Sequence, residues 1–200
     1  MGTQSSIHFY LNWAKERIDE MDAALASLES KVGEVQTDLR SKANDTLVDL
    51  RKKRDNFRNT VKKQSEDNEA AWANAKAKLE AEWTAFENEI QNYIEQFGKK
   101  LEQQQSTFKR QADAQLKAWR EAADALHAAA RDYAADRRHE IDATVTRMKA
   151  DAATAEEKLQ KLNRAGTDSW SALMAALKET REVFDRANQS VREAFKKAAA

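Results

Sequence analysis

Apolar residues recur at intervals of eleven through the middle of the chain. One series runs Phe86, Phe97, Phe108, Trp119, Ala130 and Ile141, and a second runs Leu79, Ile90, Leu101, Ala112, Ala123, Ala134 and Val145. Because eleven residues make almost three turns of an α-helix, each series stays on one side of a helix. The pattern predicts an extended amphipathic helix, and its apolar stripe must be covered by another surface.

The composition also favours helix. The 200 residues include no proline and only four glycines, and these are the two strongest helix interrupters. Charged residues make up 34% of the chain, with 34 basic side chains against 34 acidic ones. We therefore predict an all-α protein with very long amphipathic helices, which form either an extended coiled coil or an antiparallel helical bundle.

The apolar spacing divides the chain into four predicted segments. We expect a frayed N-terminus over 1–6, a heptad coiled-coil helix over 7–65, a long eleven-residue-repeat helix over 66–165, and a C-terminal amphipathic helix over 167–197. Gly33 is a soft spot within the second segment. Gly166 suits a helix C-cap, and Thr167, Asp168 or Ser169 can cap the helix that follows.

Gly98 lies in the middle of the predicted long helix and allows two interpretations. The apolar phase passes through it without a slip, which favours an interior position. The alternative is a fold-back near 98, because an acidic block over 66–97, with net charge −6, precedes a basic block over 98–150, with net charge +3. Such neighbouring blocks favour an antiparallel partner.

The bulky members of the stripe form a predicted interaction seam. They are Trp72, Leu79, Trp83, Phe86, Ile90, Phe97, Leu101, Phe108, Trp119, Trp170, Leu177, Phe184 and Phe195. Burial of each large apolar side chain contributes about 1.5–3 kcal/mol, so this surface requires a cover. Other helices are the first expectation, and a lipid surface on which the aromatic side chains insert is the alternative.

The sequence contains no recognisable catalytic or cofactor-binding motif, and we predict no enzyme activity, no cofactor and no small-molecule substrate. Cysteine is absent. His127 is expected to be an edge residue of the stripe rather than a ligand. Asp132, Asp136, His139 and Glu140 share part of a helical face, but salt-bridge partners in solvent are the default interpretation, so we predict no metal site.

Nucleic-acid binding is also not expected. Phosphate contacts require an excess of Lys and Arg, and the net charge is zero. The densest basic runs, Lys52–Arg54 and Arg137–Arg138, are short and flanked by acids. No apolar run is long enough to span a bilayer, and the N-terminus lacks the features of a secretory signal. We therefore expect a cytoplasmic protein, with a location at the periphery of a membrane or granule as the alternative.

Three stretches resemble a bacterial coiled-coil family of stress-response proteins from cyanobacteria and proteobacteria. They run from Ser65 to Phe86 and include Trp72, Leu79 and Trp83, then from Asp168 to Phe195, and more loosely from Tyr10 to Leu28. The resemblance implies a helical, non-enzymatic protein linked to stress. It offers no catalytic residue to carry over, and the alanine-rich middle of this chain departs from the family.

These observations lead to one functional expectation and one alternative. We expect a non-enzymatic coiled-coil protein that associates with itself as a homo-oligomer and has a structural, scaffolding or stress-protective role. The alternative is an amphipathic-helix protein that binds peripherally to a lipid, membrane or granule surface through the same aromatic residues.

Overall fold

A computed structural model of the chain is built from α-helices, and its described part contains no β-strand. This confirms the predicted all-α class. The helices are α1 (Thr3–Lys31), α2 (Arg40–Gln64), α3 (Glu69–Phe97), α4 (Lys100–Ala130), α5 (Ala135–Ala165) and α6 (Trp170–Ala199), and a short 3₁₀ turn, Val32–Glu34, follows α1.

The structure describes residues 3–65, 69–98, 100–165 and 169–200, without the side chains of residues 3–8, 69–70 and 100–101. None of the helices within these ranges has the length and apolar character that a bilayer-spanning segment needs. Gly166, Thr167 and Asp168, which the sequence suggested as caps, lie outside the described residues. Ser169 caps α6, because its side-chain oxygen accepts a hydrogen bond from the backbone N–H of Ala172.

The long helix predicted over 66–165 is not continuous, because this region contains α3, α4 and α5, and the first break falls at Gly98, where the sequence also allowed a fold-back. At the first break a Cβ atom on Gly98 would lie 2.7 Å from the backbone oxygen of Ile94, so this backbone requires glycine. At the second break the backbone N–H groups of Arg131, Asp132 and Tyr133 bond to carbonyls three residues earlier. The apolar residues of each helix continue the periodicity of the helix before it. Neither break is therefore visible as a change in the apolar spacing.

The predicted single helix over 7–65 is also wrong, because the chain leaves the helix after Lys31 and re-enters it at Arg40. Gly33 lies in the 3₁₀ turn between α1 and α2. The Arg40 guanidinium donates to the backbone oxygens of Gly33 and Val35, at 3.0 and 3.2 Å, which closes the connection. The predicted frayed segment over 1–6 overlaps α1, which begins at Thr3.

The chain divides into two compact units, and the division falls within α1 and α4. Unit 2 comprises residues 17–114. In it, Arg51 of α2 bonds to Glu29 of α1 at 2.6 Å, and Arg58 bonds to Asp22 at 2.8 Å, so these two helices run antiparallel. Helix α2 also packs against α3. The apolar residues of α2 that become buried are Ala43, Leu47, Leu50, Phe57 and Val61.

Unit 1 comprises residues 1–16 and 115–200. Within it α5 and α6 pack in antiparallel orientation, because Glu140 near the start of α5 pairs at 2.9 Å with Lys197 near the end of α6, and Lys158 pairs with Glu179. Helix α5 faces α4 in the same way. The Lys149 ammonium lies 2.7 Å from the Asp124 carboxylate, and Arg120 pairs with Glu156.

Candidate interaction surface

Most of the predicted interaction seam is buried within the chain. Its fully or almost fully buried members are Trp72, Leu79, Trp83, Phe86, Ile90, Phe108, Trp119, Trp170, Leu177, Phe184 and Phe195. Phe97 is half-buried, and the side chain of Leu101 lies outside the described residues. Among the described residues, Val48 is the one large apolar side chain that is exposed, with 42% of its surface accessible. The seam therefore forms core rather than a free surface.

In unit 2 the seam residues of α3 form an aromatic row. The rings of Trp83 and Phe86 stack with centroids 6.1 Å apart, and the rings of Tyr93 and Phe97 meet edge to face at 5.1 Å. Burial raises the pKa of the Tyr93 hydroxyl to about 12, because the charged phenolate is disfavoured away from water. This row is a packed apolar surface in which ionisation is unfavourable.

In unit 1 the seam residues of α4 and α6 meet directly. The rings of Trp119 and Phe184 pack edge to face at 5.5 Å, and the Gln115 amide donates to the backbone oxygen of Leu177 at 3.0 Å. Moving along α4 from 115 to 119 therefore corresponds to moving along α6 from 177 to 184, so these two helices run parallel. Aromatic contacts of this geometry add about 0.5–1.5 kcal/mol beyond the area that they bury.

The N-terminal helix closes the other side of unit 1. Phe9 of α1 packs edge to face on Phe195 of α6, with ring centroids 5.6 Å apart. The Asn188 side chain donates to the backbone oxygen of Phe9 at 2.9 Å. The ring of Tyr133, in the connection between α4 and α5, also packs edge to face on Phe195, with centroids 5.5 Å apart. These contacts place a predicted seam residue, Phe195, at the junction of three segments of the chain.

The interior of unit 2 also holds a polar contact between α1 and α4, which the apolar pattern did not predict. The Ser27 hydroxyl lies 3.0 Å from that of Thr107 and 3.3 Å from that of Ser106, and the Gln103 amide lies 3.3 Å from the Thr107 hydroxyl. Ser27 and Thr107 are fully buried. We call Ser27, Gln103, Ser106 and Thr107 the α1–α4 polar contact.

This polar contact extends along α4. Gln103, Thr107 and Gln111 lie four residues apart and are all buried, so they form a polar ridge on one side of the helix. The side-chain oxygen of Gln111 has no hydrogen-bond partner within the described residues, which costs about 1–3 kcal/mol. The four-residue spacing of these polar residues was the sequence signal, and it was hidden by the stronger apolar series.

The end of this contact carries an ion-pair cluster at the surface. The Lys31 ammonium lies 3.0 Å from the Glu34 carboxylate and 3.3 Å from that of Glu102. Its hydrogen bonds to Glu34 and Glu102 raise the pKa of the Lys31 ammonium. In unit 1, the hydrogen bond from Lys149 lowers the pKa of the Asp124 carboxyl in the same manner. These groups join neighbouring segments of the chain by ion pairs.

The candidate residues for metal or anion binding lie at the surface. Asp132, Asp136, His139 and Glu140 are exposed, and Glu140 bonds to Lys197. His127 lies 3.4 Å from Asp142. No group of three potential metal ligands occurs within the described residues. In the basic runs, Lys52, Lys53 and Arg54 each contact a carboxylate, and Arg137 donates to the backbone oxygen of Ala198.

A groove of about 300 Å³ lies between α4 and α5. Ala123, Ala152 and Ala153 line its floor, and the pairs Arg120–Glu156 and Asp124–Lys149 stand at its sides. The lining contains no histidine or hydroxyl group, and its charged side chains bond to one another as the two ion pairs. It is a gap between small residues in a helix–helix contact.

The comparisons with known proteins add no assignment to this geometry: no family model, no curated protein and no solved structure matches the chain.

Proposed function

We propose that the chain is a non-enzymatic structural protein that associates with itself and has a scaffolding or stress-protective role in the cytoplasm. Each unit would be an antiparallel helical bundle rather than part of an extended coiled coil. The observation that carries the structural role is the burial of the seam. Its aromatic faces pack on other amphipathic helices, as Trp119 does on Phe184, so they are surfaces that recognise helices.

Two further observations support a structural role. Ion pairs at the surface join the helices within each unit, such as Arg51–Glu29 in unit 2 and Lys149–Asp124 in unit 1. The described titratable groups with shifted pKa values lie in those pairs or, as Tyr93, in the apolar core. Structural ion pairs shift pKa values in the same way as catalytic sites do, so these shifts do not require a catalytic role.

The proposal is tested by measuring helix content and mass in plain buffer. We expect high helicity without any added ligand, and a mass by light scattering that rises to a defined multiple of 22.7 kDa with concentration. Phe86→Asp should unfold much of unit 2, because it buries an unpaired charge. Ala85→Asp, at the exposed neighbouring position of α3, is the matched control and should leave helicity and mass unchanged.

A protein that stays monomeric at every concentration would contradict self-association. A chain that is disordered in buffer and becomes helical only with a ligand would contradict the structural role.

The second candidate is a lipid-surface binder, and the face of α6 favours it. Trp170, Leu177, Phe184 and Phe195 lie on one side of this helix, while its opposite side is exposed and ends in Lys196 and Lys197. A helix of this kind suits a lipid interface once it is released from its neighbours. Zwitterionic phosphatidylcholine vesicles should then shift the tryptophan emission and sediment with the protein. An unchanged spectrum and no co-sedimentation would contradict this candidate.

A further inference from the structure

The connection between α4 and α5 is a turn without the residues that normally enforce one. It consists of Arg131, Asp132, Tyr133 and Ala134, with neither glycine nor proline. Three successive N–H groups bond to carbonyls three residues earlier, at 3.1, 3.3 and 3.2 Å, so the backbone is already close to helical. The local chemistry of this connection therefore allows a continuous helix as well as a turn.

The apolar faces on both sides of this turn have the same phase. Ala123 and Ala130 of α4 are buried, and eleven residues after Ala130 comes Ile141 of α5, which is also buried. The same interval joins Ala134, which is exposed in the turn, to Val145, which is buried. If the turn became helix, the buried faces of α4 and α5 would lie on one unbroken stripe, with Asp132 on the opposite side.

We propose that a second copy of this chain binds by helix exchange through this connection. The turn straightens, α4 and α5 become one helix, and α5 with α6 packs on α4 of the partner copy. The inference deepens the self-association proposed above by naming its surface. That surface is the face of α4 in unit 1 that contains Trp119 and Ala123, together with the face of α6 that contains Phe184.

The exchanged form makes between copies the contacts that α4 makes with α5 and α6 within one chain. Asp124 would pair with the partner's Lys149, Arg120 with the partner's Glu156, and Trp119 would pack on the partner's Phe184. These contacts exist within one copy in the structure. Because the exchange is reciprocal, each copy supplies both halves of the interface, as a two-fold symmetric dimer requires.

The distance between two labels on one chain tests the exchange directly, because the chain has no cysteine of its own. Ala125→Cys and Ala150→Cys place spin labels at exposed positions of α4 and α5. In the closed chain the labels should lie below about 20 Å apart, since packed helix axes are about 8–10 Å apart. In one continuous helix they should lie roughly 37 Å apart, at 1.5 Å per residue.

The measurement is made on the separated monomer and dimer fractions of the full chain, with labelled protein diluted in an excess of unlabelled protein, so that only distances within one chain contribute. We expect the short distance in the monomer and the long distance in the dimer. A dimer that shows only the short distance would overturn helix exchange and leave self-association standing. Absence of a dimer at every concentration, including after refolding from denaturant at high concentration, would overturn both.

Two substitutions at one exposed position provide a matched pair. Asp132→Ala favours helix in the connection and Asp132→Gly disfavours it, while neither removes a contact that the structure gives to the side chain. Since two connections straighten per dimer, we expect the dimerisation constant to be roughly 20-fold larger for Asp132→Ala than for Asp132→Gly. Equal constants for the two variants would overturn the proposal, because a dimer formed through outer surfaces does not depend on the turn.

Discussion

The two units use different interactions in their interiors. In unit 1, α6 buries Trp170, Leu173, Leu177, Phe184, Val191 and Phe195 on one face, and rings from α1 and α4 pack on that face. In unit 2, the aromatic row of α3 is accompanied by the α1–α4 polar contact, and α2 joins α1 through ion pairs of Asp22 and Glu29. In unit 1 the buried amides of Gln115 and Asn188 bond to backbone oxygens beside this apolar face, whereas in unit 2 the side chains of two helices bond to each other.

This difference has an energetic consequence. Apolar contacts contribute in proportion to the area that they remove from water, whereas a buried polar contact contributes little once its desolvation is counted. Polar groups in a core instead favour one alignment of the helices over others, because a shifted alignment leaves them without partners. We infer that the α1–α4 polar contact sets the alignment of unit 2, whereas apolar packing supplies most of the stability of unit 1.

The largest effect that we predict concerns the apolar contact of unit 1. Phe184→Ala removes a fully buried ring that packs on Trp119, and it should lower the free energy of unfolding by about 3–5 kcal/mol. Urea unfolding followed by circular dichroism measures the change. Thr180→Ala, one turn earlier on the same buried face, is the control. Among the described residues the Thr180 hydroxyl bonds to the backbone oxygen of Ala176 in its own helix, so the control should cost much less. If both variants lost a similar amount of unfolding free energy, the effect of Phe184→Ala could not be assigned to the packing of its ring on Trp119.

An intermediate effect is expected from Tyr93 in unit 2 at alkaline pH. Its hydroxyl stays neutral to about pH 12 in the folded chain but ionises near the ordinary value of 10.0 when unfolded. Stability is therefore intact below pH 10 and falls as the pH rises towards 12, by about 1–2 kcal/mol. Unfolding free energies at several pH values measure this loss. Tyr93→Phe should remove that part of the decline, and Tyr133→Phe should leave it in place. If stability declined equally in Tyr93→Phe, the ionisation of another group would be its cause.

The smallest effect concerns the polar ridge of α4. Gln111→Leu replaces a buried side chain whose oxygen lacks a partner by an apolar one of similar size, and should raise the free energy of unfolding by about 1 kcal/mol. Thr107→Val, in contrast, removes a hydroxyl that bonds to Ser27 and Gln103, and should lower it by about 1 kcal/mol. Denaturant midpoints of the two variants measure the difference. If both substitutions changed the free energy of unfolding in the same direction, the presence or absence of a hydrogen-bond partner would not explain their effects.

The helical class and the buried face of the helices follow from the pattern of apolar residues. A periodicity of eleven places residues such as Leu79, Phe86 and Trp119 on one side of a helix whatever the rest of the chain does, and these residues are buried. A residue on the apolar side of a helix is buried whichever surface covers that side. The same pattern therefore could not tell whether the cover is the same chain, a second copy or a lipid surface.

The ends of the helices and the pairing of their faces depend on long-range packing. The break at 131–134 has no local cause in glycine or proline, and it exists because α5 and α6 pack back on α4, with Tyr133 on Phe195. The pairing of Ser27 with Thr107, 80 residues apart, depends on the same long-range packing. Local periodicity sets which side of a helix is apolar, but the path of the chain follows from contacts between residues that are distant in sequence.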